Sequence, residues 1–123
     1  MRTGRILLLA LALVLTVGTT ASGAARTYFH DPLTGKAHYK PSRIQFSDLD
    51  IRHIRWHGWN HRTARGTGTA RVNDCMPDCG DGHVTHIKAT LKAYSRHTVH
   101  GRRYYRCLKG SVAGEKIHWC NTD

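Results

Sequence analysis

Small or apolar residues alternate with polar ones along most of the chain beyond residue 42. In the clearest case, the segment 63–72, every second residue is alanine, glycine or valine, and the residues between them are threonine or arginine. A period of two places these two sets on opposite faces of a β-strand. Glycine and threonine at this density also disfavour a helix. We therefore predict a strand with a nearly bare inner face, formed by Ala64, Gly66, Gly68, Ala70 and Val72.

Other short stretches alternate in the same way, with turn-forming residues between them. They are residues 44–46, 51–59, 86–94, 102–108 and 116–119. No segment after residue 25 has the 3.6-residue period of a helix. The pattern predicts an all-β fold, a small antiparallel β-sandwich or barrel of five to seven strands. We expect residues 42–123 to form a single β domain. Residues 26–41, with few apolar positions, are expected to be a loosely ordered N-terminal segment.

Two tryptophans lie just before the bare strand. Trp56 is expected on the inner face with Ile54, and Gly58 is expected to form a bulge that returns Trp59 to that face. Indole rings over a glycine-lined strand would fill its empty inner surface. Basic and aromatic residues also interleave at 52–62 and 102–106, and exposed rings there would be stacking platforms for single-stranded nucleic acid. Burial of the two indoles is the favoured prediction.

The first 25 residues have the layout of a secretory signal peptide. A cationic start is followed by an apolar run at 6–17 and by a small-residue exit at 19–25. A helix of that run, about 18 Å long, is too short to span a hydrocarbon core of about 30 Å. Residues 1–25 are therefore predicted to be a removed signal-peptide helix, and the protein is expected to be secreted or extracytoplasmic, with no transmembrane segment in its mature form.

Four cysteines follow the expected cleavage site, and they are Cys75, Cys79, Cys107 and Cys120. An even number of cysteines in an exported small domain indicates disulfide bonds. Three pairings are open. We favour Cys75 with Cys79 and Cys107 with Cys120, because each pair closes a local loop across turn-forming residues.

The middle of the chain resembles a group of small exported proteins of actinobacteria. The resemblance rests on a tryptophan pair, an Ala/Gly strand and a Cys-x-Pro-x-Cys loop, which here are Trp56, Trp59, Ala64, Gly66, Gly68, Cys75, Pro77 and Cys79. It implies a signal peptide and a β domain. Because no activity is established for that group, the resemblance lends no catalytic residues. The abundance of histidine is a departure from the group.

The charge of the chain narrows the partners that it could bind. The formal net charge is +11, and ten histidines could add to it in mildly acidic surroundings. Such a surface attracts an anionic polymer or the anionic cell envelope. We therefore predict a non-catalytic binding or surface-associated protein whose binding face carries Arg52, Arg55, Arg65, Arg71, Lys88 and Lys92. No specific nucleic-acid motif is present, and solubility or retention at the envelope would explain the charge equally well.

An alternative hypothesis is an extracytoplasmic metal-binding protein that uses histidines to hold zinc or copper. The candidate ligands are Cys75, Cys79, His83 and His86. Their spacing matches no standard zinc finger, and oxidation to a disulfide would remove the two sulfur ligands. The nearby aspartates, Asp74, Asp78 and Asp81, do not have EF-hand spacing, and a turn is the favoured interpretation.

Catalysis has little support in the sequence. Glu115 is the only glutamate, no Gly-x-Ser-x-Gly motif is present, and no carboxylate pair stands out. His53, His57 and His61 recur every four residues, which on a strand separates them too far to share one metal ion. We expect no enzymatic activity and no required cofactor.

Overall fold

The computed structural model describes residues 25–73, 80 and 83–122. This part of the chain is all β, as predicted, and its eight strands belong to one sheet. The strands are β1 (Thr27–His30), β2 (Ala37–Tyr39), β3 (Ile44–Gln45), β4 (Asp50–His57), β5 (Ala64–Asn73), β6 (Val84–Val99), β7 (Arg102–Val112) and β8 (Glu115–Cys120). The signal-peptide helix and the Cys75–Cys79 pair predicted from the sequence lie outside the described residues.

The strand order is β2-β1-β7-β6-β5-β4-β3, and β8 also pairs with β7. The sheet curls into a half-barrel. The central strand β6 pairs with β5 through residues 84–93 and with β7 through residues 89–99, so residues 89–93 pair on both sides. Strands β1 and β8 share the other side of β7, where β1 pairs with residues 103–104 and β8 with residues 107–112.

The core lies on the concave side of the sheet and is built around the tryptophan pair. The ring centroids of Trp56 and Trp59 are 4.8 Å apart, and the ring of Tyr105 lies 4.9 Å from that of Trp59. A Cβ atom added to Gly66 would lie 2.8 Å from Cε3 of Trp56. The predicted cover of a glycine by an indole ring is therefore confirmed for Trp56. Ile54 covers the neighbouring Gly68, and Trp59 packs on the other two rings.

Strand β4 contains a bulge that the alternation of the sequence does not reveal. Its register with β5 shifts between Arg52 and Arg55, and His53 has a φ of 53°. The extra residue lets both Ile51 and Ile54 point into the core although they are three positions apart. The bulge expected at Gly58 is instead a turn, in which the amide of His61 donates to the carbonyl of Gly58.

The N-terminal segment, expected to be loosely ordered, contains β1 and β2 and contributes to the core. Phe29 is 1% exposed and packs edge-on against Trp119. The buried carboxylate of Asp31 accepts hydrogen bonds from the amides of Leu33, Thr34 and Gln45, which fixes the turn after β1. Local hydrogen bonding and one aromatic anchor hold a segment that has few apolar residues.

The predicted sandwich-or-barrel class is confirmed as a half-barrel, in which seven strands form the continuous order and β8 pairs with β7 beside it. One detail differs, because β1 runs parallel to β7 and the sheet is not purely antiparallel. The predicted Cys107–Cys120 disulfide is present and joins directly opposed residues of β7 and β8.

Candidate polyanion-binding face

The polar residues of β5 face solvent because the small residues between them face the core. Ala64 and Ala70 are fully buried, whereas Arg65, Thr67 and Arg71 are exposed. The same rule holds for the first half of β6, where buried Ala89, Leu91 and Ala93 alternate with polar residues. The convex side of β4 to β8 is therefore a polar sheet surface.

Strand register brings basic residues of five strands into one line. Each member lies directly opposite the next, so neighbouring Cβ atoms are about 5 Å apart. We name this line the basic row, and it consists of His57, Arg65, Lys92, Lys109 and His118. Like charges directly opposite each other destabilise a sheet. Among the described residues, Arg65, Lys92 and Lys109 form no ion pair with a carboxylate.

A second line, two positions further along the strands, carries hydroxyl groups between two basic ends. We name it the hydroxyl row, and it consists of Arg55, Thr67, Thr90, Ser111 and Lys116. Three neighbouring hydroxyls can donate hydrogen bonds to acceptor oxygens. Together, the two rows present cationic groups beside hydroxyl donors over the width of five strands.

The two rows line an open groove of about 770 Å³ between β5 and β8. Lys92 and Lys109 come from the basic row, and Thr67, Thr90 and Ser111 from the hydroxyl row. Most of the lining surface of the groove is nevertheless apolar, with contributions from Leu91, Tyr94 and Ile117. An elongated anionic ligand lying across the strands would meet charge and hydrogen-bond donors on successive strands.

An aromatic and disulfide cluster forms one end of the groove. The hydroxyl of Tyr94 lies 2.6 Å from Nε2 of His118, and their rings are stacked at 6.2 Å. Nζ of Lys109 lies 5.1 Å from the centre of the Tyr94 ring. His118 Nε2 is also 3.6 Å from Sγ of Cys120, which is bonded to Cys107. The disulfide thus holds two strands of the groove in fixed register.

The far edge of the polar surface contains a carboxylate. Asp50 accepts hydrogen bonds from Arg43 at 2.9 Å and from Arg52 at 2.8 Å. The hydrogen bond from Arg43, reinforced by that from Arg52, lowers the pKa of the Asp50 carboxyl group. Arg52 is therefore neutralised locally, and it contributes less to a cationic face than the sequence suggests.

The structure separates the six basic residues that the sequence singled out. Arg65 and Lys92 are adjacent in the basic row, and Arg55 begins the hydroxyl row. The other three lie outside both rows. Arg52 on β4 and Lys88 on β6 both pair with Thr69 of the strand between them. Arg71 pairs with Asp50 on one side and with His86 on the other. The row members that sequence analysis missed are His57, Lys109, Lys116 and His118, together with the three hydroxyls. The sequence shows that these residues are basic or carry hydroxyl groups, but only the strand register shows that they lie in the two rows.

The candidate metal ligands are only partly within the described chain. His83 and His86 are exposed, while Cys75 and Cys79 are outside the described residues. Within the described part, the one group of potential ligand atoms close enough to share an ion is Cys107, His118 and Cys120. Both of its sulfurs belong to the disulfide and are not available as thiolates. The zinc or copper hypothesis therefore stays a prediction.

In residues 25–73, 80 and 83–122, no helix has the length and apolarity needed to cross a membrane. Comparisons with protein families, with curated proteins and with solved structures find no match.

Proposed function

We propose that this protein is a non-catalytic binding protein for an anionic polymer, and that the basic row and the hydroxyl row form its contact surface. The observation that carries the proposal is the direct opposition of Arg65, Lys92 and Lys109 on three neighbouring strands. A sheet gains nothing in stability from such a line of like charges. A bound anion would remove the repulsion and accept hydrogen bonds from the adjacent hydroxyls.

The shape of the face favours an extended ligand over a single small anion. Its charges are spread across five strands, and the groove is open along its length. A polymer with repeated phosphate, sulfate or carboxylate groups can contact several strands at once. If residues 1–25 direct export as expected, anionic polymers of the cell envelope are the natural partners.

The test measures binding of fluorescein-labelled polyphosphate and heparin over a range of salt concentrations. We expect the logarithm of the association constant to fall linearly with the logarithm of salt, because binding releases counterions. The triple variant Arg65→Gln, Lys92→Gln, Lys109→Gln should bind at least tenfold more weakly at low salt. Affinity that is independent of salt would contradict the proposal.

A matched control variant distinguishes the effect of the two rows from the effect of the total charge of the protein. The triple variant Lys36→Gln, Lys40→Gln, Arg106→Gln removes the same number of charges from exposed positions outside both rows. It should lose much less affinity than the face variant. Equal losses in the two triple variants would show that the protein binds polyanions through its overall charge and not through the rows.

A further inference from the structure

A second surface cluster lies on strands β2, β1, β7 and β6, outside both rows. Register places Tyr39, Tyr28 and Tyr104 directly opposite one another on three neighbouring strands, and His97 lies opposite Tyr104 on the fourth. We name these four residues the tyrosine row. Ring centroids along it are 6.1, 6.2 and 6.1 Å apart.

The tyrosine row faces away from the core. Phe29 and Tyr105, the chain neighbours of Tyr28 and Tyr104, are each 1% exposed and point to the opposite face. Tyr39 is 41% exposed, and Tyr28 and Tyr104 are half-buried. Rings of this size are normally used to fill a core. Here they form a continuous aromatic strip at the surface.

Cationic groups accompany the rings. Cζ of Arg26 lies 5.1 Å from the centre of the Tyr39 ring, and Cζ of Arg102 lies 4.7 Å from that of Tyr28. His30 stacks on Tyr104 at 4.8 Å. Neither guanidinium group forms an ion pair with a carboxylate in the described part of the chain. Each therefore keeps donors for an external anion while its Cζ lies over an aromatic ring.

We propose that the tyrosine row is a binding site for single-stranded nucleic acid, with about one nucleotide per strand. Bases stack on tyrosine rings and on arginine planes, and the phosphates between them pair with Arg26 and Arg102. A duplex hides its base faces inside its own stack and cannot use the row. The site is separate from the basic and hydroxyl rows, so it goes beyond the polyanion-binding function proposed above.

The experiment compares two probes of equal charge by fluorescence anisotropy. One is labelled hexathymidylate, and the other is a six-unit abasic strand with the same phosphates. We expect the protein to bind hexathymidylate at least about tenfold more tightly, since each stacked base adds affinity. It should also prefer hexathymidylate to a DNA hairpin whose stem stays fully paired at the assay temperature. Equal affinity for the base-containing and abasic strands would overturn the proposal.

Single variants test whether the preference for hexathymidylate over the abasic strand depends on the tyrosine row. Tyr39→Leu and Tyr104→Leu should each lower the ratio of the two affinities toward one, while Tyr39→Phe, which keeps the ring, should preserve it. Phe46→Leu is the control, because Phe46 is a partly buried aromatic residue outside both the row and the groove. An equal fall in the ratio with Phe46→Leu would count against the site. Tyr39 is exposed, so its variant tests the site even if Tyr104→Leu fails to fold.

This experiment distinguishes failure of the nucleic-acid proposal from failure of the polyanion-binding proposal. Loss of the basic row through Arg65→Gln, Lys92→Gln, Lys109→Gln should weaken the abasic strand more than hexathymidylate, because base stacking takes place at the separate tyrosine row. If an acidic polysaccharide such as hyaluronate loses affinity with Tyr39→Leu while hexathymidylate does not, the row binds sugar and the nucleic-acid proposal is wrong.

Discussion

The indole Nε1 of Trp59 donates a hydrogen bond of 2.8 Å to the carbonyl oxygen of Thr27, which lies 32 residues earlier in the chain. The amide of Thr27 in turn donates to Oδ1 of Asn60. Trp56 makes a similar bond, from its Nε1 to the carbonyl of Pro41 at 2.7 Å. The two tryptophans thus fill the core and also fasten the N-terminal segment to it.

Replacing Trp59 by phenylalanine should release β1 from the core. The change keeps an aromatic ring but leaves the buried carbonyl of Thr27 without the indole donor, at a cost of about 1–3 kcal/mol. Urea unfolding should show the loss, and hydrogen exchange should show faster exchange of the β1 amides. Trp119→Phe is the control, since Trp119 contacts β1 through an edge-on ring contact with Phe29 and not through a hydrogen bond to its backbone. Unchanged exchange in β1 for Trp59→Phe would contradict the fastening role.

Adding a methyl group at Gly66 should strain the core. Its Cβ would lie 2.8 Å from the Trp56 ring, and overpacking of this kind costs about 1–3 kcal/mol. Combining Gly66→Ala with Trp56→Leu should give a coupling energy that favours the double variant, measured by a double-mutant cycle in urea. Strict additivity of the two changes would show that the indole does not restrict this position.

Removing the Cys107–Cys120 bond should destabilise the protein through its unfolded state. The bond joins residues 13 positions apart, and a loop of that size corresponds to about 3 kcal/mol. Cys107→Ser with Cys120→Ser should therefore lower the urea midpoint. It should also weaken polyphosphate binding, because the disulfide holds the groove strands in register. A variant with unchanged midpoint and affinity would refute both effects.

Stability should fall in acid as Asp50 becomes protonated. Its hydrogen bonds from Arg43 and Arg52 lower its folded-state pKa below the ordinary value of an aspartate. The stabilisation is therefore fully present above the unfolded-state pKa, and it is lost as pH falls through the lower folded-state pKa. Asp50→Asn should destabilise the protein at pH 7 and make little difference near pH 2. Asp48→Asn, in the adjacent turn, is the control, and an equal effect of that change would exclude the ion pairs as the cause.

Replacing Lys92 by glutamate should stabilise the protein while weakening polyphosphate binding. Lys92 lies directly opposite both Arg65 and Lys109, so the change converts two repulsive pairs into attractive ones, each worth about 0.2–1 kcal/mol. Urea unfolding at low and high salt should show a gain that salt reduces. Lys36→Glu, outside the rows, should bring a smaller change. A destabilised Lys92→Glu protein would show that the row is not under repulsion.

The sequence allowed much of the fold to be predicted, because alternation is a local property. The strand containing Gly66, the cover of Gly66 by Trp56 and the Cys107–Cys120 pairing could all be inferred from neighbouring residues. The bulge at His53 could not, since nothing in the residue types there requires a positive φ. The attachment of β1 also depends on contacts distant in sequence, such as that between Trp59 and Thr27.

Less of the candidate site could be predicted from the sequence, because the site also depends on pairing between strands that are distant in the chain. Arg65 and Lys92 were predicted to lie on one outer face. Which residues of that face are neighbours depends on the register of the strands, which the sequence does not reveal. Lys109 and His118 join the row only through the pairing of β7 with its two neighbours. The tyrosine row depends on a parallel pairing between Tyr28 and Tyr104, which no local pattern indicates.

That parallel pairing also sets the order in which the chain can fold. Strand β1 can pair with β7 only after β7, about 75 residues later in the chain, has formed. The central hairpins can form from nearby residues, whereas docking of the first strand must close a long loop and is expected to come last. Until then the β7 backbone near Arg103 is an open edge, where a second unfinished copy could pair in place of β1.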